Sequence, residues 1–252
     1  MNKIINDDCF KYIKIIEDNS IDLIITDPPY GISFKDNLTN NKKYVKKSIL
    51  NDGKDDIDFK LFFDESYRIL KNNCSLFLCM RIDFLMRIAT IINESKFKYV
   101  NTLIWRKGDM GYGNLNVMGE NFEIVLHLSK NSPKKSQILN INNKSKKRTV
   151  AEYCGNLTKH ELCGHPTQKP IGLFSYIILN RTNKYELILD PFAGSGTTAI
   201  ACELLNRNYI CIEQDADFYN LINKRLKELN KNEYLNIINE NLQIKQLNGI
   251  TF

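Results

Sequence analysis

The chain lacks a CxxC pair, an internal repeat, and any apolar run near the roughly 18 residues that a membrane-crossing helix needs. Its 7 cysteines are odd in number and scattered, and no secretory leader stands before them. That combination reads as a reducing cytoplasm, with no disulfide framework expected. Histidine is scarce, with 3 in all. Cys154, His160, Cys163 and His165 come nearest to a metal set, but their spacing fits no zinc pattern, so no metal is expected. Strong charge of one sign is also missing. Lys plus Arg (35) exceed Asp plus Glu (29) for a net +6, which permits a polyanionic partner without demanding one. What is present suffices for folding: 252 residues, 43% hydrophobic, can bury one large α/β domain or two small ones. Richness in Asn, Ile and Lys fits an AT-rich bacterial genome.

One stretch organises the rest. Ile21–Thr26 is a short apolar run of strand length, followed by Asp27-Pro28-Pro29-Tyr30-Gly31. The prolines cannot donate to a ladder, so the strand must stop there. They also push Asp27 and Pro28 towards extended geometry. A stiff peptide with free carbonyls, one carboxylate and one ring then stands at a strand's carboxyl end, where open α/β sheets bind ligands.

Before that stretch, Lys3–Asn6 reads as a strand, and Phe10, Ile13 and Ile16 recur at helical spacing. Asp7 or Asp8 can cap that helix, and Asp8 could equally face a ligand. Residues 31–56 show little periodicity and read as a long loop carrying Lys42, Lys43, Lys46 and Lys47 around Tyr44: a solvated charge run or a phosphate-contacting segment. Ile57–Leu70 is amphipathic, with Ile57, Leu61, Phe62, Tyr67, Ile69 and Leu70 on the expected buried side. Strands at Cys74–Met80, Tyr99–Trp105 and Phe122–Leu128 and a helix marked by Phe84, Ile88 and Ile92 follow. His127 lies inside a strand and reads as a core residue without chemistry.

No acid occurs between Glu123 and Glu152, while seven basic residues run from Lys130 to Arg148, among them Lys146 and Lys147. The segment 130–160 is either a solvated linker or a nucleic-acid contact. Gly164-His165-Pro166-Thr167-Gln168-Lys169-Pro170 leads into an apolar helix, Leu173–Leu179. Pro170 suits its first turn, whose free donors with Lys169 form an anion site or a plain helix start.

The strand Tyr185–Asp190 runs into Pro191-Phe192-Ala193-Gly194-Ser195-Gly196-Thr197-Thr198 and a helix to Leu205. Glycines there let backbone approach a ligand at the first turn of a βα unit. The next strand, Tyr209–Ile212, ends on Glu213, close to the ~20-residue offset at which an acid meets ribose hydroxyls. Ala199 fills the third glycine place of a dinucleotide fingerprint, a tolerated variant, so a nicotinamide enzyme stays open. A phosphate-loop Lys-Ser or Lys-Thr is absent, which argues against an ATPase. Together strand, turn and acid indicate an adenosine-containing cofactor. A final helix is expected at Asp217–Lys231, with an uninterpretable polar tail.

Three stretches now resemble one family. Asp27-Pro28-Pro29-Tyr30 is similar to the catalytic motif, and Asp190–Thr197 to the cofactor motif, of S-adenosylmethionine-dependent DNA amino-methyltransferases; His165–Pro170 resembles the segment just before the latter. Their order resembles the β group, in which the fold is circularly permuted. The resemblance implies a Rossmann-like α/β fold, a mostly parallel twisted sheet with helices on both faces and one antiparallel strand near Phe122–Leu128. It implies one catalytic domain over 1–252, with a DNA-recognition loop at 31–56 and a basic inserted segment at 130–160.

It further implies catalysis by Asp27, Pro28, Pro29 and Tyr30. S-adenosylmethionine would meet Asp8, Cys9, Asp27, Lys169, Asp190, Pro191, Phe192, Gly194, Gly196, Thr197 and Glu213, with Lys169 towards its carboxylate and Glu213 at the ribose. Lys42, Lys43, Lys46, Lys47, Lys146, Lys147 and Arg148 would contact DNA. The implied partner is duplex DNA with its target base flipped out, and the family admits a homodimer and a cognate restriction endonuclease. An acid at position 27 resembles the adenine-N6 enzymes more than the cytosine-N4 ones. Rivals are a cytosine-N4 or RNA methyltransferase, an oxidoreductase, and a non-catalytic DNA-binding subunit.

Overall fold

Alternation along short apolar runs builds the sheet. Leu23 and Ile25 face one side and Ile24 the other, and every residue of Ile21–Thr26 is buried, as in a strand covered on both faces. The computed structural model describes residues 2–31, 53, 57–107, 121–134, 157–158 and 161–242. Among them run seven strands: β1 (Lys3–Ile5), β2 (Ile21–Thr26), β3 (Leu70–Met80), β4 (Lys98–Arg106), β5 (Phe122–Ser129), β6 (Leu187–Asp190) and β7 (Asn208–Ile212). They form one sheet in the order β1-β7-β6-β2-β3-β5-β4. β5 is antiparallel to both neighbours and the other pairings are parallel, as the resemblance implied.

Helices α1 (Cys9–Tyr12), α2 (Phe59–Ile69) and α3 (Ile82–Glu94) cover one face. On the other lie α4 (Ile171–Arg181), α5 (Thr197–Leu205), α6 (Ala216–Lys227) and α7 (Lys231–Leu242), which bury Ile177, Ile200, Ile222 and Ile238. On the first face Phe59, Phe62, Phe63, Phe84 and Phe97 pack edge to face, each pair contributing about 0.5–1.5 kcal/mol beyond its buried area. That aromatic layer reaches Tyr30, whose ring lies 5.3 Å from Phe84, and Phe192, 5.9 Å from Phe62. The core thus backs onto two predicted site residues.

Several local expectations need correction. The inner face of α2 is Phe59, Phe62, Phe63, Ser66 and Ile69; Leu61 and Tyr67 are only half-buried, because the aromatic layer draws Phe59 and Phe63 inward, and the helix begins two residues later than the apolar pattern suggested. The tail holds a helix, α7, anchored by buried Ile238. Pro170 stands one place earlier than expected, at the cap of α4 with extended ψ. The free donor at that helix start is taken by the chain itself, since Ile171 N–H donates to Glu161 Oε1 at 2.8 Å. Lys130 and Lys134 serve the fold: the Lys130 ammonium caps the end of α2 through Tyr67 O (2.8 Å) and Leu70 O (2.7 Å), and Lys134 pairs with Glu186. The remaining basic residues of 130–160 lie outside the described residues, as does nearly all of 31–56. His127 is buried between Asn101 (3.1 Å) and Ser75 (2.9 Å), and burial lowers its pKa to about 3, so it stays neutral.

Candidate active site

Parallel strands bring their carboxyl ends to one edge. β2 delivers Asp27–Tyr30 there, β6 delivers Asp190–Gly196, β7 delivers Glu213 and β1 leads to Asp8. β2 and β6 are neighbours, paired through Leu23–Ile188 and Ile24–Leu189. From β2 the chain proceeds to β3 on one side, and from β6 to β7 on the other, so these strands flank the switch point where such sheets bind ligands. Thr26 Oγ1 donates to Asp190 Oδ1 at 2.6 Å across 164 positions of sequence, and Thr198 grips the other carboxylate oxygen. Burial pushes the Asp190 carboxyl up to about 6, against the hydrogen bonds it accepts.

Asp27 lies between two donors. Tyr30 Oη donates to Oδ1 at 2.5 Å, and the Lys169 ammonium contacts Oδ2. Burial pushes the Asp27 carboxyl up, while Lys169 and Tyr30 hold it down. Lys169 itself is buried; that disfavours its charge, but Asp27 and Glu123 keep it above the ordinary lysine value. Its ammonium also lies 5.7 Å from the Tyr30 ring centre. Arg87 of α3 donates to the Tyr30 carbonyl at 2.8 Å, which fixes the peptide beyond the prolines.

The segment before α4 ties the two halves together. Gln168 accepts from Cys163 N–H (3.1 Å) and donates to Glu161 O (2.7 Å), which shapes the turn that aims Lys169. Thr197 Oγ1 donates to the Lys169 carbonyl at 3.1 Å, so the backbone of Lys169 is held at the glycine turn while its side chain is held at Asp27. His165 packs on Phe218 with ring centres 4.3 Å apart, and burial lowers its pKa to about 3. Cys154 and His160 lie outside the described residues.

The glycine turn is made by positive φ at Gly194 (51°) and Gly196 (79°). A side chain at Gly194 would stand 3.1 Å from the His165 ring, and one at Gly196 would stand 2.8 Å from Ile222. Both glycines therefore admit close packing of the chain on itself. Gly194 N–H donates to Glu213 Oε2 at 2.7 Å, and Asp215 N–H to Oε1 at 2.8 Å. Burial pushes the Glu213 carboxyl up to about 7 despite those two bonds. Asp8 caps α1 by accepting from Phe10 N–H at 2.7 Å.

These groups surround one cavity of about 120 Å³. Its wall includes Asp27, Pro28, Pro29 and Tyr30 on one side and Asp8, Cys9, Lys169, Asp190, Pro191, Phe192, Gly194, Thr197 and Glu213 on the other. Of the predicted cofactor residues, Gly196 alone is not in the wall. Burial pushes the Cys9 thiol up to about 12, so it presents a neutral surface. The expected DNA contacts, Lys42, Lys43, Lys46, Lys47, Lys146, Lys147 and Arg148, lie outside the described residues. Phe10, Phe174, Phe218 and Asp215 also line the cavity and were not anticipated. Asp215 sits two residues past Glu213 and was within reach of the motif; the three rings look like ordinary core positions in sequence. Glu123, which pairs with Lys169 at 3.2 Å, was also missed.

Comparison with known proteins gives concordant results. The profile of the DNA methylase family matches residues 21–224. The Type II methyltransferase M2.MboI of Moraxella bovis is 31% identical over 245 residues, 90% of this chain and 89% of that relative. The Type II methyltransferase M.HinfI of Haemophilus influenzae is 30% identical over 252 residues, 92% of this chain and 70% of the relative. Among solved structures, M1.HpyAVI in complex with SAM superposes with a TM-score of 0.66 at 26% identity, covering 89% of this chain and 100% of that one. The cytosine-N4-specific PvuII DNA methyltransferase shares the fold, with a TM-score of 0.71 at 19% identity over 96% of this chain and 93% of that one.

Proposed function

The chain belongs to the DNA methylase family of S-adenosylmethionine-dependent amino-methyltransferases, and from that premise we propose that it methylates the exocyclic N6 of adenine in duplex DNA. The observation that carries this assignment is the meeting of Asp27–Tyr30 with the Gly194–Glu213 turn on one cavity.

The residues present fit the cofactor. Phe10, Phe192 and Phe218 offer apolar surface for an adenine ring. Each Glu213 oxygen accepts one backbone hydrogen bond and keeps acceptor capacity for ribose hydroxyls. Asp8, Cys9, Asp190, Pro191, Thr197 and Lys169 complete the surround, with Gly196 setting the turn from behind. When bound, S-adenosylmethionine supplies an electrophilic methyl group on a sulfonium.

The chain's part is to prepare the nucleophile. An exocyclic amino group is weakly nucleophilic because its lone pair is delocalised into the ring. The Asp27 carboxylate and the Pro28 carbonyl accept hydrogen bonds from it, which turns the lone pair out of conjugation and favours the positive charge that develops. Pro29 keeps the peptide extended. The Tyr30 ring stacks on the base, which must leave the duplex to be reached. Tyr30 Oη is already tied to Asp27, so ring and carboxylate are positioned as a unit.

On the same grounds we propose one catalytic domain over 1–252, in which the loop 31–56 and the basic segment 130–160, apart from Lys130 and Lys134, hold and read DNA. We place the protein in the cytoplasm and in a restriction–modification pairing, the setting indicated by the Type II names of its relatives.

Nucleoside mass analysis of duplex DNA treated with protein and S-adenosylmethionine tests the assignment. N6-methyladenine is expected; N4-methylcytosine alone would overturn the choice of base. In the same assay Asp27→Asn should lower the single-turnover rate by about 100-fold or more while S-adenosylhomocysteine still binds. Lys169 keeps Glu123 as a partner in that variant, so the fold should survive. Normal methylation by Asp27→Asn would refute the role given to the carboxylate.

A further inference from the structure

One buried acid stands beside the reaction centre without belonging to any of the three motifs. β5 runs against the sheet, so its first residues arrive at the edge where the parallel strands end. Glu123, the second residue of β5, therefore enters the site from the far side of β3. It is 8% exposed. Lys107, just past the end of β4 at the same edge, contacts its Oε1. Its other oxygen, Oε2, is buried, has no hydrogen bond of good geometry, and faces the Lys169 ammonium at 3.2 Å. Lys169 in turn contacts Asp27. Two acids and two ammonium groups thus alternate in one row, Lys107–Glu123–Lys169–Asp27.

We propose that Glu123 is a positioning residue for methyl transfer: by sharing the Lys169 ammonium with Asp27, it leaves the Asp27 carboxylate enough negative charge to accept from the target amino group. This rests on the function assigned above. An ammonium paired with Asp27 alone would spend its field on that carboxylate, and would stand as a cation close to a nitrogen that becomes positive during transfer. Sharing the ammonium with a second acid cancels much of that penalty. Packing alone does not account for such a row, because apolar residues of similar volume generally stabilise a core as well as a buried ion pair does. Lys107 fixes the Glu123 carboxylate so that Oε2 points at Lys169.

The charged and titratable groups around Asp27 are Tyr30 on its own segment, Cys79 of β3, Glu123 of β5, Lys169 before α4 and Asp190 of β6. Burial works against the charge of Glu123, but its two ammonium partners bring its pKa below the ordinary value, so it is an anion at neutral pH.

Single-turnover methylation of duplex DNA across a pH series, beside binding of S-adenosylhomocysteine and of DNA, tests the proposal. Glu123→Gln should lower the rate by about 10–100-fold, the range typical of outer-shell partners, with both binding constants within about twofold of the wild type. Its acid limb should move to lower pH, because an anion that raises the Asp27 pKa has gone. Lys107→Met, which removes a cation from the same row, should move the limb the other way, and this variant carries the test if Glu123→Gln does not fold. In a Lys169→Met background, Glu123→Gln should lower the rate no further. Wild-type rate and pH profile in Glu123→Gln, or equal shifts of the limb in both single variants, would overturn the inference. A wild type that methylates no DNA would instead overturn the function on which it rests.

Discussion

Burial, and no charged partner, dominates the titration of Glu213. Its carboxyl is pushed from 4.5 to about 7 although two backbone N–H groups donate to it. A folded-state pKa above the unfolded one means that the folded chain holds the proton more tightly. This residue's contribution is therefore full below pH 4.5, is lost as pH rises towards 7, and stays lost above. The fold tolerates an acid that weakens it at neutral pH, at the place where the ribose would be held. Glu213→Gln should match the wild type in urea unfolding near pH 4.5 and exceed it at pH 8, by about 1–3 kcal/mol. The same variant should bind S-adenosylhomocysteine more weakly in calorimetry. A variant less stable than the wild type at pH 8 would contradict the role of burial. At this scale the sequence was most informative where an acid closes a strand: Asp27, Asp190 and Glu213 all announce themselves that way. Glu123 opens a strand that runs backwards, and its only mark in the chain is as the edge of a stretch without acids.

Elements were legible wherever period and punctuation agreed. β2 came from an apolar run stopped by two prolines, and α5 from glycines followed by small residues. The buried face of α2 was misjudged because Phe59 and Phe63 belong to an aromatic layer whose other members, Phe84 and Phe97, lie further along the chain. The Asn-rich composition also has structural use: Asn19, Asn73, Asn131 and Asn206 take the left-handed backbone that asparagine tolerates better than most residues. Charge misled at Lys130, which reads as the start of a basic surface block but is buried. Its ammonium joins the end of β5 to the carbonyls that close α2, and also donates to Asn19 Oδ1 at 2.8 Å. Lys130→Met keeps the stem and removes the donors, leaving buried carbonyls unpaired. It should cost about 2–3 kcal/mol in urea unfolding while leaving DNA affinity unchanged. A loss of DNA affinity without loss of stability would return Lys130 to the nucleic-acid surface.

Across the whole molecule, the two halves of the site are 164 positions apart at Thr26 and Asp190, yet they lie on adjacent strands. Motif order alone could not supply that adjacency. It comes from the sheet order, in which β2 and β6 pair at the centre and the remaining strands add outward. Motif identity supplied the chemistry, topology supplied the meeting, and the antiparallel strand brought in Glu123, which no motif indicated. The DNA-facing side follows from different physics, since phosphate contacts need only cations near a backbone and leave no fixed pattern in sequence. Binding there should separate cleanly from cofactor binding. Replacing Lys146, Lys147 and Arg148 together by Ala should weaken duplex binding, and should flatten the dependence of log K on log salt by about 2–3 if each cation meets one phosphate. Affinity for S-adenosylhomocysteine should stay at the wild-type value, because the described residues that close strands β2, β6 and β7 form the wall of that cavity. An unchanged salt slope would mean that the basic run is solvated, and that the protein grips DNA through other cations.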